Sequence, residues 1–200
     1  MDILKNEAYI PMKRIVVLLL LLAMVTGGCA RRGGLESFSR ENIDIGFVRT
    51  IAVLPLQNNS NDEYAPERVR NITMTQVLGR GIFDVVDKGV VDSLLHEEAI
   101  DPGKPLDRQA LRRLGQRLNV QAVMLGTIDL ADEGRKGSVV YPLLSVTMRL
   151  LEVESGLVIW QASASASGDS IWRRLFGLAA VGRFELTLGL VDKMLATIPQ

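Results

Sequence analysis

The chain predicts an α/β domain with a three-layer-like build: a mixed sheet, helices on both faces, a late β-hairpin and a long C-terminal helix. Three observations carry this expectation. Short β-branched apolar runs alternate with helical stretches from residue 50 to residue 128, the order that builds parallel strands with crossover helices. A strand-turn-strand pattern follows over residues 139–167, which adds antiparallel pairing. The last thirty residues return to helical spacing, broken by Gly177, Gly182 and Gly189.

Taken in order, residues 50–56 (Thr-Ile-Ala-Val-Leu-Pro-Leu) form an apolar run closed by Asn58, Asn59, Ser60, Asn61 and Asp62. Such a run bounded by turn residues reads as a buried strand. Pro66 and Glu67 then suit a helix start, and Val69, Ile72, Thr73, Gln76 and Val77 share one face before Gly79 and Gly81. Residues 82–87 read as a second strand and residues 90–99 as a second helix with Val91, Leu94 and Leu95 inward. Asp107 is placed as the N-cap of a third helix, in which Leu111, Leu114 and Leu118 recur at helical spacing. Residues 120–128 give a third strand.

The hairpin has Val146, Met148 and Leu150 on one face of its first strand and Thr147, Arg149 and Leu151 on the other, with Glu154-Ser155-Gly156 as the turn. In its return strand Ala162, Ala164 and Ala166 alternate with Ser163, Ser165 and Ser167. Small side chains at period two suit a strand crossed closely by a helix. The expected helix over residues 171–198 carries Trp172, Leu175, Phe176, Leu178, Val181 and Phe184, flanked by Arg173, Arg174 and Arg183. These side chains read either as core against the Ala162–Ala166 strand or as a helix lying on a partner or a membrane.

Upstream of the domain, residues 15–25 are an unbroken apolar run preceded by Lys13 and Arg14 and followed by Thr26, Gly27 and Gly28. A membrane-spanning helix needs about 20 such residues; a basic flank, a short apolar stretch and a small-residue exit describe a secretory signal peptide over residues 1–28. Asp2 and Glu7 are out of place in its leading segment, and Met12 makes a natural start. Cys29, the only cysteine, follows at once. This arrangement resembles the lipobox of bacterial lipoproteins, with Thr26 standing where an aliphatic residue is usual. The resemblance implies that Cys29 is acylated, with chains such as palmitate, and becomes the mature N-terminus. It also implies, through Ala30 rather than Asp at the next position, delivery to the outer membrane with the domain facing the periplasm. Residues 29–48, with Gly33, Gly34, Ser37 and Ser39, read as a tether, and residues 49–200 as a single α/β periplasmic domain.

Composition excludes several classes. Lys plus Arg and Asp plus Glu each number 23, for a net charge of zero, and losing Lys5, Lys13, Arg14, Asp2 and Glu7 with the signal leaves 20 basic and 21 acidic residues, still near neutral. Nucleic-acid binders carry a clustered basic excess. One cysteine and one histidine leave no internal disulfide and no ordinary zinc ligand set. Arg108, Arg112, Arg113 and Arg117 are dispersed around the third helix and read as a solvated face. His96 beside Glu97 lacks a nucleophile in a motif. Asp129, Asp132 and Glu133 lack calcium-loop spacing, and Gly79 and Gly81 do not complete a phosphate loop. The reading is of a non-enzyme without cofactor or metal.

Four stretches in order carry a wider resemblance: residues 51–58 (Ile-Ala-Val-Leu-Pro-Leu-Gln-Asn), 81–87 (Gly-Ile-Phe-Asp-Val-Val-Asp), 118–128 (Leu-Asn-Val-Gln-Ala-Val-Met-Leu-Gly-Thr-Ile) and 150–160 (Leu-Leu-Glu-Val-Glu-Ser-Gly-Leu-Val-Ile-Trp). They are similar to strands of an envelope superfamily. It includes the curli secretion channel lipoprotein, the peptidoglycan synthase activator lipoproteins and the amino-terminal domain of the Tol–Pal translocation protein. Gln121 stands where that group often has Asp. The resemblance implies an envelope-assembly or adaptor lipoprotein that binds another envelope protein. The alternative it implies is an oligomeric subunit of an outer-membrane secretion or assembly complex. A single expected hairpin speaks against a pore.

Overall fold

The computed structural model describes residues 34–40, 45–170, 176 and 178–199. The expected signal peptide and Cys29 lie outside the described residues. The elements in chain order are β1 (Leu35–Ser39), a 3-10 turn at Ile45–Phe47, β2 (Thr50–Val53), β3 (Gln57–Asn58), α1 (Ala65–Arg80), β4 (Asp84–Val85), α2 (Lys88–Glu97), α3 (Arg108–Leu118), β5 (Ala122–Lys136), β6 (Val139–Glu152), β7 (Val158–Ser167) and α4 (Arg183–Leu195).

All seven strands join one mixed sheet in the order β1-β7-β6-β5-β2-β4, with β3 alongside β5. β2 runs parallel to β4 and β5, and β3 parallel to β5, whereas β5, β6, β7 and β1 pair antiparallel. The parallel part comes from the strand-helix alternation, as the sequence predicts, and the antiparallel part from the β5–β6 and β6–β7 hairpins together with the pairing of β1 on β7.

Period-two alternation divides each strand between two cores. Ile51, Val53, Met124, Met148 and Leu150 face α1 and α4, together with Trp160, Val69, Leu190 and Met194. Ala52, Leu54, Val123 and Leu125 face α2 and α3, together with Val91, Leu94, Leu114, Leu118 and Val153. Trp160 is wholly buried and its indole Nε1–H donates to Thr197 Oγ1 at 3.0 Å, so the largest core side chain also ties the chain's end to β7. Ala162 and Ala164 are buried beneath α4; their small size lets the helix approach the sheet.

Local signals place the helix ends. Asp107 accepts from Ala110 N–H at 2.7 Å, and Asp87 from Gly89 N–H at 2.8 Å, each supplying the N-terminal acceptor a helix lacks. Gly81 closes α1 at φ +63°, the left-handed region where glycine carries no Cβ penalty; Gly79 stays within the helix. Gly156 turns β6 into β7 at φ +71°.

Four expectations need correction. Residues 35–39 were expected in a tether but form β1, pairing with β7 from Leu35↔Ala164 to Ser39↔Trp160. The strand expected over 120–128 continues to Lys136 and pairs with β6 as far as Lys136↔Val139, so there are two hairpins, β5–β6 and β6–β7, rather than one. The second strand shrinks to Asp84–Val85. The long C-terminal helix is confined to Arg183–Leu195: residues 178–182 are not helical, and residues 171–175 and 177 lie outside the described residues. Phe176, Leu178 and Phe184 are exposed rather than core.

Candidate functional site

Cys29, the predicted lipidation site, lies outside the described residues. Among those described, an open cleft of about 420 Å³ lies where the β3–α1 loop, the β5–β6 hairpin and the start of α4 meet. An ion-pair chain runs through it. Arg68 Nη2 donates to Asp62 Oδ2 at 2.7 Å, Arg183 Nη1 lies 3.7 Å from the same oxygen, and Arg183 Nη2 reaches Glu133 Oε1 at 2.5 Å. Asp62 also accepts the Tyr64 amide at 3.0 Å. Burial pushes the Asp62 carboxyl up, but its bonds from Arg68 and Tyr64 and the two guanidinium charges outweigh that and hold it below 3.8. Each cation here already faces a carboxylate. The cluster therefore fastens α4 to the hairpin and to the start of α1.

The other candidates are also spent on structure or lie apart. Asp129 accepts from Thr147 Oγ1 at 2.8 Å, Asp132 from the Glu133 amide at 2.7 Å, and Glu133 pairs with Arg183. Among the described residues no group of three or more His, Cys, Asp or Glu converges to hold a metal ion. His96 is exposed on α2. The arginines of α3 meet glutamates: Arg117 bonds Glu97 at 3.0 Å and Glu98 at 2.8 Å, Arg113 faces Glu98 at 3.7 Å, and Arg112 donates to the Glu154 carbonyl at 2.9 Å. The Glu97 and Glu98 hydrogen bonds hold Arg117 above its ordinary value. The solvated-face reading of α3 thus gains a detail: its arginines clamp α2 and the β6–β7 turn.

Sequence reasoning missed two polar devices. Arg70 is 2 % exposed; its Nε donates to the Val53 carbonyl at 3.0 Å and its guanidinium grips Asp92 at 2.8 and 2.9 Å. The pair locks α1 and α2 to the end of β2. Arg70 lies three residues before Thr73 and seven before Val77, on the apolar side of its helix, and an arginine at that spacing was the available signal. Gln121 Oε1 accepts from the Arg49 and Thr50 amides at 3.0 and 2.9 Å, which seats the first residues of β2 against β5. The longer glutamine thus performs a backbone-capping task at the position where the resembled group often has Asp.

What remains unspent is surface. Among the described residues, β1 and β4 are the outermost strands of the sheet, with no further strand paired to either. The β5–β6 hairpin runs past its neighbours, with residues 132–141 exposed or half-buried. Tyr141 covers Gly134, its cross-strand partner, where any Cβ would collide with the ring. Among the described residues no helix is long and apolar enough to cross a membrane.

No family model and no curated protein sequence matches the chain. Among solved structures it is similar to the PelC dodecamer from Paraburkholderia phytofirmans, with 18% identity and a TM-score of 0.56 over 84% of this chain and 100% of that one. It is similar to lipoprotein GNA1162 from Neisseria meningitidis, with 20% identity and a TM-score of 0.55 over 75% of this chain and 99% of that one. The hypothetical protein CT253 from Chlamydia trachomatis gives 12% identity and a TM-score of 0.50, covering 74% and 94% of the two chains. At these identities the likeness is one of fold.

Proposed function

We propose that the chain is a lipid-anchored lipoprotein of the bacterial envelope, held in the outer membrane by acylated Cys29, that binds another envelope protein rather than catalysing a reaction. One observation supports this most: the charged groups of the cleft and the arginines of α3 are committed to structural pairs, while the sheet edges at β1 and β4 and the protruding hairpin pair with no further strand among the described residues. Open edges offer unpaired backbone groups to another chain. The fold likeness to a neisserial lipoprotein agrees with the lipobox reading.

A second reading, an oligomeric subunit of an outer-membrane assembly, is favoured by the likeness to a dodecameric protein. Two different open edges on one domain suit head-to-tail association, which closes into rings.

In-cell photo-crosslinking from Leu130 on the hairpin and Phe38 on β1, with light scattering of the detergent-extracted protein, tests both. A crosslink to a different envelope protein from a monomeric lipoprotein supports the adaptor. A self-crosslink from an oligomer supports the subunit. An acylated monomer that crosslinks to nothing overturns both.

A further inference from the structure

Five observations place several exposed apolar groups at the end of the sheet where the chain arrives from Cys29. The Ser165 amide donates to the Gly34 carbonyl at 2.8 Å, so the chain enters beside the last residues of β7. The Val181 amide donates to the Gly168 carbonyl at 2.9 Å, which brings the residues just before α4 to the same end. Leu178 is 58% and Phe176 71% exposed a few residues before Val181, and Phe184 is 57% exposed in the first turn of α4. β7 ends at Ser167, opposite Leu143. Residues 139–142 of β6 therefore run past it by about 13 Å at the usual rise per residue. The tip of this arm joins basic Arg135 and Lys136 to Val139 and Val140, which are 43% and 42% exposed.

We infer that this end of the domain lies against the bilayer surface, with Phe176, Leu178 and Phe184 in the interface and the arm tip touching the headgroups. The inference rests on the reading of Cys29 as acylated. Because β1 begins at Leu35, inside the expected tether, only the residues from Cys29 to Gly34 separate lipid from domain. Fully extended, they reach about 18 Å. So short a leash keeps Gly34, and the apolar groups beside it, at the membrane rather than free in solution. Aromatic and leucine side chains beside arginine and lysine are the composition of an interfacial contact, and basic residues at the arm tip complement anionic headgroups.

The test uses the full acylated protein in vesicles of phosphatidylethanolamine and phosphatidylglycerol. The only native cysteine carries the lipid, so Val139→Cys, Leu178→Cys and Phe184→Cys each accept one environment-sensitive fluorophore. Glu154→Cys, at the opposite end of the sheet, is the control. Quenching by headgroup-proximal spin-labelled lipid at least twofold greater at residues 139, 178 and 184 than at 154 is expected. Equal quenching at both ends in a protein whose Cys29 is acylated by mass spectrometry overturns the inference and leaves the anchor standing. So does shielding of residue 184 by disulfide linkage between copies, which assigns the face to a second copy. An unmodified Cys29 overturns both the anchor and the inference.

Discussion

At the scale of single residues, a few polar groups do the positioning. Asp62 holds Arg68 and Arg183 together between α1, the hairpin and α4. Its carboxyl lies below its ordinary value in the folded protein, so it favours the folded state wherever the unfolded chain's carboxyl is ionised, above 3.8. That contribution disappears as pH falls from 3.8 through the lower folded value. Asp62→Asn is therefore expected to lower the unfolding free energy by about 1 kcal/mol at pH 7. The gap to the unaltered protein should close as the pH falls below 3.8. Urea unfolding at pH 7 and at pH 2.5 checks this; a gap that persists at the lower pH contradicts it. None of this was legible in the sequence, where Asp62 closes a run of turn residues and its partners lie 6 and 121 positions away. Gln121 was legible only as an oddity, because its work is done on backbone amides that no side-chain pattern reveals.

At the scale of elements, legibility followed burial. Asp107 marks the start of α3 and its leucines mark the inward face, because one face is buried and the other wet. β5 was cut short because Asp129, Asp132, Glu133, Arg135 and Lys136 have water on both sides, so no alternation marks them as strand. β1 was missed for the same reason: as an edge strand, its Glu36, Ser37 and Phe38 are exposed. α4 starts only at Arg183, after the non-helical residues through Gly182. Packing between elements makes a sharper prediction at Gly115 in α3. A Cβ there would fall 2.7 Å from Val153 Cβ and within 2.9 Å of both its methyls. Alanine in a helix interior gains about 1 kcal/mol over glycine. Overpacking against a β-branched, buried partner costs about 1–3 kcal/mol, and three simultaneous close contacts put this site at the upper end. Gly115→Ala is thus expected to destabilise by about 1–2 kcal/mol net, measured by urea unfolding. A stabilised variant would show that α3 lifts from the sheet at no cost.

At the scale of the molecule, the fold separates into a part that holds itself together and a part that reaches outward. The two cores end where the hairpin leaves the sheet: Ala131 and Leu144 are the last buried residues of β5 and β6 on the way to the tip, and no core residue lies between them. Replacing residues 134–141 by Asn-Gly keeps Glu133 opposite Pro142, joins them by a two-residue turn suited to antiparallel strands, and preserves the Glu133–Arg183 pair. It removes the Tyr141–Gly134 contact and several exposed backbone pairs. It also shortens the connection between β5 and β6, whose closure then costs slightly less. The unfolding free energy of the shortened protein is expected to stay within about 1 kcal/mol of the full chain, by the same urea titration. A loss beyond about 2 kcal/mol would place the arm inside the folding unit. An unchanged stability means that this length of strand is kept for what it touches, and it makes the shortened chain a folded reagent in which contacts with a partner or a bilayer are lost without loss of the fold.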